Sequence, residues 1–151
     1  MRSESTPPRV LVDVNLWVSH LLPSSTPDRP ISEIVRRARH RQVVLVVLSS
    51  LIDELEQIAS RKPYLAQRIP TEDVQVLIDL LRVVGEPIPA ATEPLPPLTR
   101  DPKDDYLLAA AIESDVDILV TGDADLLALR EHLDRPRILT ARELVEALDA
   151  G

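Results

Sequence analysis

Residues Ile118-Leu-Val-Thr-Gly-Asp-Ala-Asp-Leu-Leu127 pass straight from four residues fit for a buried strand into two aspartates two positions apart. A similar pattern stands near the start. Arg9-Val-Leu-Val-Asp-Val14 reads as a strand that breaks at Asp13-Val14-Asn15, before Leu16 to Leu22, which could start a helix. Apolar strands that end in carboxylates need a physical reason, and the rest of the chain supplies the setting for one.

Between and after these two runs, helical and strand patterns alternate. Ile31, Ile34, Val35 and Ala38 repeat at helical spacing over 31–40. Val43 to Leu48 is a short apolar run rich in β-branched valine, the pattern of a strand buried on both faces. Ser49 and Ser50 can cap a following helix that carries Leu51, Ile52, Leu55, Ile58 and Ala59 inward and Glu54 in its first turns. Thr71 can cap another over 72–84. Residues 85–102, GEPIPAATEPLPPLTRDP, hold six of the fourteen prolines and read as an extended crossover. Asp101-Pro102 then opens a helix in the favoured order, cap followed by proline. A strand over 117–121, a short helix over 124–132, a strand over 137–139 and a capping box at Thr140 and Glu143 complete the chain. Such alternation predicts an α/β fold, a three-layer α/β/α sandwich with a central parallel sheet, formed by one domain over 9–149 behind a flexible tail over 1–8.

Composition narrows the chemistry. Net charge is −8, with 25 acidic and 17 basic residues, which argues against a protein that coats nucleic acid through a broad positive surface. There is no cysteine, which removes disulfides and thiolate metal sites and fits a reducing cytoplasm. No apolar run approaches the roughly 20 residues of a membrane span. Aromatic residues are few, Trp17, Tyr64 and Tyr106, so a broad base-stacking platform is not expected. The run Arg36 to Arg41 suits the end of a helix better than an RNA contact. His20, His40 and His132 have no ligand spacing, and Ser24 and Ser25 have no histidine motif beside them.

In parallel sheets the ligand site lies beyond the carboxyl ends of the strands, near the point where strand order reverses. Asp13 and Asp123 can share that edge if their strands are neighbours, and Glu54 projects from a helix beginning there. Asp104 or Asp105 lies in the first turn of a helix that a simple crossover would start nearer the opposite edge, so the proline-stiffened approach would have to carry it over the rim. Carboxylates a few ångströms apart repel unless they share protons or a cation. An oxygen-only set favours magnesium or manganese, ions suited to phosphodiester hydrolysis. Helical periodicity does not choose between Asp104 and Asp105.

The segments VLVDVNLWVSHLL, SSLIDELEQI, RDPKDDYLLAAAIESDVDILVTGDADLL and RILTARELVEAL together resemble the PIN-domain family, and within it the ribonuclease toxins of bacterial toxin–antitoxin modules. The resemblance spans about residues 9–149. It implies a metal-dependent endoribonuclease using Mg2+ or Mn2+, with acids at Asp13, Glu54, Asp104 or Asp105, and Asp123. Asn15 would be the companion of Asp13, with Thr121 and Asp125 supporting Asp123. It also implies an RNA substrate, a small antitoxin protein as partner, and a homodimer. Two rivals are an aspartyl phosphoacceptor domain, for which Lys62 and Lys103 are misplaced, and a catalytically silent member of the family acting as a binding partner.

Overall fold

Five short strands lie side by side in the order β3-β2-β1-β4-β5, all parallel. The computed structural model describes residues 6–21, 29–61, 71–93 and 95–150. The elements are β1 (Arg9–Val12), α1 (Val14–Leu21), α2 (Arg29–Arg39), β2 (Val44–Leu48), α3 (Leu51–Arg61), α4 (Thr71–Val84), β3 (Gly85–Ile88), α5 (Pro102–Glu113), β4 (Ile118–Val120), α6 (Ala124–Ala128), a 3-10 turn (Arg130–His132), β5 (Arg137–Leu139) and α7 (Ala141–Ala150). Most of the expected tail, the turn-rich segment containing Ser24 and Ser25, and Lys62 and Tyr64 lie outside the described residues.

The two-residue period of a strand sends its side chains alternately to two cores. Val10, Val12, Leu45, Val47, Ile118 and Val120 join one core with Trp17, Ile34, Leu55, Ile78 and Leu144 from α1, α2, α3, α4 and α7. Leu11, Val46, Leu119 and Ile138 join the other with Leu108, Ala111 and Leu126 from α5 and α6. Because both faces are covered, the strands are apolar throughout, and the three-layer α/β/α arrangement follows.

Strand β3 was not anticipated. Gly85 to Ile88 lies inside the proline-rich stretch read as an extended crossover, yet it pairs with β2 from Leu45↔Gly85 to Leu48↔Ile88. Pro87 is tolerated because β3 is an edge strand, where one side of the backbone needs no ladder partner. Gly85 is required by close approach, since a Cβ there would run into the Leu81 carbonyl and the Val47 side chain.

The chain builds β1, β2 and β3 outward in one direction, then returns to place β4 and β5 on the other side of β1. The reversal falls between β1 and β4, which pair through Val10↔Ile118 and Val12↔Val120. Asp13 and the Thr121-Gly122-Asp123 turn therefore emerge side by side. Helix α5 also begins at this edge, contrary to the expectation that a simple crossover would start it at the opposite one. Its far end lies at the start of β1, where the Arg9 guanidinium donates to the Ser114 carbonyl at 3.2 Å. A helix returning antiparallel to its strands must begin where the preceding strand ended, so no detour is needed.

Candidate active site

Asp13 leaves β1 and caps α1 directly. Its carbonyl accepts from the Leu16 amide at 3.0 Å, and its Oδ1 accepts from the Asn15 amide at 3.1 Å. This cap starts the helix at Val14, two residues earlier than apolar spacing alone suggested. Asn15 thus orients Asp13 through its backbone N–H. Asp13 is only 3% exposed, and its second oxygen, Oδ2, accepts from the Thr121 hydroxyl at 2.9 Å.

Thr121 is fully buried and links the two strand ends. While donating to Asp13, its Oγ1 accepts from the Asp123 amide at 3.0 Å. Asp123 in turn caps α6, with Oδ1 accepting from the Asp125 amide at 2.8 Å and the Leu126 amide at 3.2 Å. Both capping bonds fall on one oxygen, which leaves Oδ2 for other partners. Two aspartates that look like ordinary strand-end caps are thereby locked to each other through a single buried hydroxyl.

The first turn of α5 supplies the third group. Asp101 is its cap, with Oδ1 accepting from the Lys103 amide at 3.0 Å, and Pro102 takes the first helical position. The doublet that follows is divided by geometry. Asp104, 6% exposed, faces Asp123 and Asp13. Asp105, 9% exposed, turns to the incoming loop, and its Oδ1 accepts from the Leu98 amide, the Thr99 amide and the Thr99 hydroxyl at 3.1–3.2 Å. Asp125 performs a similar task. Its carboxylate grips Arg100 through the guanidinium at 3.0 Å and through the backbone amide at 3.2 Å. Asp105 and Asp125 therefore pin residues 98–100, and that pinning sets where Asp104 enters the rim.

Electrostatics separate the acids in the same way. Burial above all, then the charges of Asp123, Asp13 and Asp101 and a hydrogen bond with Asp123, push the Asp104 carboxyl up to about 7. Asp13 is raised by burial, against the stabilising bonds from Asn15 and Thr121, and is raised further by Asp123 and Asp101. Glu54, half-buried on α3, is raised by burial, lowered by the Lys103 charge and raised by Asp13. Asp125 moves the other way, held low by its bonds to Arg100. Desolvated acids that repel one another stand beside acids that are fully matched.

Asp13, Glu54 and Asp104 line one cavity of about 610 Å³ with Asn15, Asp101 and Lys103. Among the described residues, no three acids are arranged to hold an ion as they stand. None of His20, His40 and His132 lines this cavity. The arginine-rich end of α2 leads into the start of β2 and so lies at the opposite edge of the sheet. There Arg36 and Arg37 pair with Glu33, and Arg37 also pairs with Asp149.

Residues 9–125 match the PIN domain family. The chain belongs to that family. Among solved structures it is similar to PAE2754 from Pyrobaculum aerophilum, at 18% identity and a TM-score of 0.56, with 98% of this chain and 95% of that one covered. No curated protein matches. PIN domains are generally metal-dependent nucleases. Sequence reasoning missed Lys103 and Tyr106 as lining residues of the cleft. The three- and four-residue spacing of Lys103, Tyr106, Leu107 and Ala110, which makes them neighbours on one helical face, was the signal that could have found them.

Proposed function

We propose that this PIN domain is a Mg2+- or Mn2+-dependent endoribonuclease and that Asp13, Glu54, Asp104 and Asp123 hold the cation. The observation that carries the reading is the isolation of the acids. Asp13, Asp104 and Asp123 meet at the strand-order reversal, and Asp104 is pushed up to about 7 because its burial and its acidic neighbours go uncompensated. A hard divalent ion relieves that repulsion and suits an all-oxygen donor set. When bound, it supplies charge neutralisation and an activated water for in-line attack on a phosphodiester.

The residues present fit such an ion by chemistry. Asp13 and Asp123 each spend an oxygen on helix capping, which fixes their orientation. Thr121 holds Asp13 in register with the Asp123 turn, and Asp105 and Asp125 keep the approach to α5 in place without facing the rim. Glu54 comes from the far side of the cavity, where Lys103 moderates its charge. In this reading Asp104 is the third acid and Asp105 a latch.

The reading extends to biology through resemblance alone: the protein would be the toxin of a toxin–antitoxin module, a homodimer held inactive by a small partner protein. A second reading, a catalytically silent PIN module that serves as a binding partner, draws on the fact that no three acids among the described residues converge on one ion position. Cleavage of single-stranded RNA by the purified chain with manganese, abolished by EDTA, supports the first. Intact RNA in both conditions, with no growth arrest on expression, supports the second.

A further inference from the structure

The acids account for only part of the cavity wall. Beside them α5 presents Lys103, Tyr106, Leu107 and Ala110, spaced as neighbours on one helical face, with Ala90 and Ala91 from the loop after β3 also lining the space. This wall is apolar and smooth at its centre. At its margin stands Tyr106, 61% exposed and one of the chain's few aromatic residues. Lys103, also exposed, uses its backbone N–H to complete the Asp101 cap, and its ammonium makes no hydrogen bond or ion pair among the described residues. The other cation near the rim, Arg100, is already held by Asp125. The cleft thus carries a flat ring, a small-residue surface and a cation that acts on Glu54 through its charge without an ion pair, none of which ion binding requires.

We infer that this wall is a nucleotide subsite: Tyr106 stacks an unpaired base next to the scissile phosphate, and Lys103 holds the flanking phosphate. The inference rests on the ribonuclease reading and extends it to the residues that seat the nucleotide. A cavity of about 610 Å³ suits a small-molecule-sized group such as one nucleotide. A base in a duplex has its faces covered by its neighbours and cannot reach the ring without being extruded. The charge pattern agrees: a phosphate placed over the carboxylates alone would be repelled, whereas Lys103 offers attraction at the edge of the acidic set. One ring and one ammonium bring no pattern of base-edge donors and acceptors, so the contact tolerates any sequence.

Binding of short fluorescein-labelled RNA to the full chain, with Asp13→Asn in every arm to prevent cutting, tests the subsite apart from catalysis. Tyr106→Ala should weaken binding of single-stranded RNA roughly ten-fold, the usual scale for losing one stacked base, and Tyr106→Phe should restore it. The same substitution should have no effect on a probe of abasic sugars or on duplex RNA. Lys103→Gln should lower the salt dependence of binding by about 0.7 in the log–log slope, as for one phosphate on a single strand. Equal affinities of Tyr106→Ala and its parent, or an equal loss on base-bearing and abasic probes, overturn the subsite. If the otherwise unaltered chain cuts RNA in manganese while either of those results holds, the subsite falls and the nuclease reading stands. If no RNA is cut but the Tyr106 dependence appears, the subsite stands and the nuclease reading falls.

Discussion

The two edges of the sheet treat carboxylates in opposite ways. At the amino edge Asp115, Asp117 and Glu86, near the strand starts, each meet a cation. Arg135 pairs with Asp115 at 2.8 Å and with Asp117 at 2.6 Å, the Arg9 amide donates to Asp117 at 2.7 Å, and the Arg9 guanidinium pairs with Glu86. At the carboxyl edge the acids that serve as latches, Asp105 and Asp125, are likewise satisfied, but Asp13, Asp104 and Asp123 face one another. Arg100 stands near this rim, but it pairs with Asp125 and leaves Asp13 and Asp104 without an ion-pair partner, a costly arrangement that stability alone would not produce. Strain of this kind is where a functional site is expected.

The sharpest way to break the comparison is to neutralise acids on either side of the doublet. Asp104→Asn should lower RNA cleavage in manganese by more than roughly a hundred-fold, because it removes a charged group aimed at the rim. Asp105→Asn should leave most activity, since the amide oxygen can still accept from Leu98 and Thr99. Asp13→Asn should match Asp104→Asn with the fold intact. Steady-state cleavage rates of the three purified variants check this, and equal losses at 104 and 105 would dissolve the distinction between rim and latch.

That distinction was the part of the site sequence could not supply. Positions 104 and 105 are adjacent on a helix whose two flanking faces are both buried, so periodicity serves either one. What separates them is the return of Leu98 and Thr99 over Asp105, a contact made by a loop without any periodic signal. The placement of Asp13, Glu54 and Asp123 at the carboxyl edge was legible because each stands at a strand end or in a first helical turn, where topology alone sets the edge. The strands β1, β2, β4 and β5 were legible because a strand buried on both faces has to be apolar throughout. Strand β3 hid behind Gly85, Pro87 and Pro89, residues that mark a break in a central strand and are harmless at an edge. The capping box was read correctly, with the Thr140 amide donating to Glu143 at 2.9 Å and the Glu143 amide donating to the Thr140 hydroxyl at 3.1 Å.

A smaller effect, in stability, measures the uncompensated charge directly. Asp104 titrates at about 7 in the folded protein against 3.8 for the free group. The folded state therefore holds its proton more tightly, and as pH climbs past 3.8 the unfolded chain ionises first. Metal-free protein should lose stability across that window, with the penalty complete above about 7. Asp13 and Glu54, also raised, add to the same trend. Asp104→Asn should flatten the slope and melt at or above the parent at neutral pH in EDTA. Millimolar manganese should reverse the order, because an ion that binds only the folded site stabilises the parent by mass action and the variant much less. Thermal melts from pH 4 to 8, with and without manganese, decide it; a parent and variant with parallel profiles would mean that the acids do not act as a cluster.

The smallest expected effect comes from the matched edge and serves as its control. Arg135→Ala removes the pairs to Asp115 and Asp117, but the Arg135 side chain is 43% exposed and Asp117 keeps the Arg9 amide. Partly exposed ion pairs contribute about 0–1 kcal/mol each, so the melting temperature should fall by no more than a few degrees. The loss should shrink in high salt, which screens the pairs already, and it should be insensitive to manganese, because the proposed cation site lies at the other end of the strands. Cleavage should be unchanged. A drop in cleavage as large as that of Asp104→Asn, or a manganese-dependent change in melting, would show that the two edges are coupled through the short strands β1 and β4. The division of labour between a neutralised edge and a charged one would then have to be abandoned.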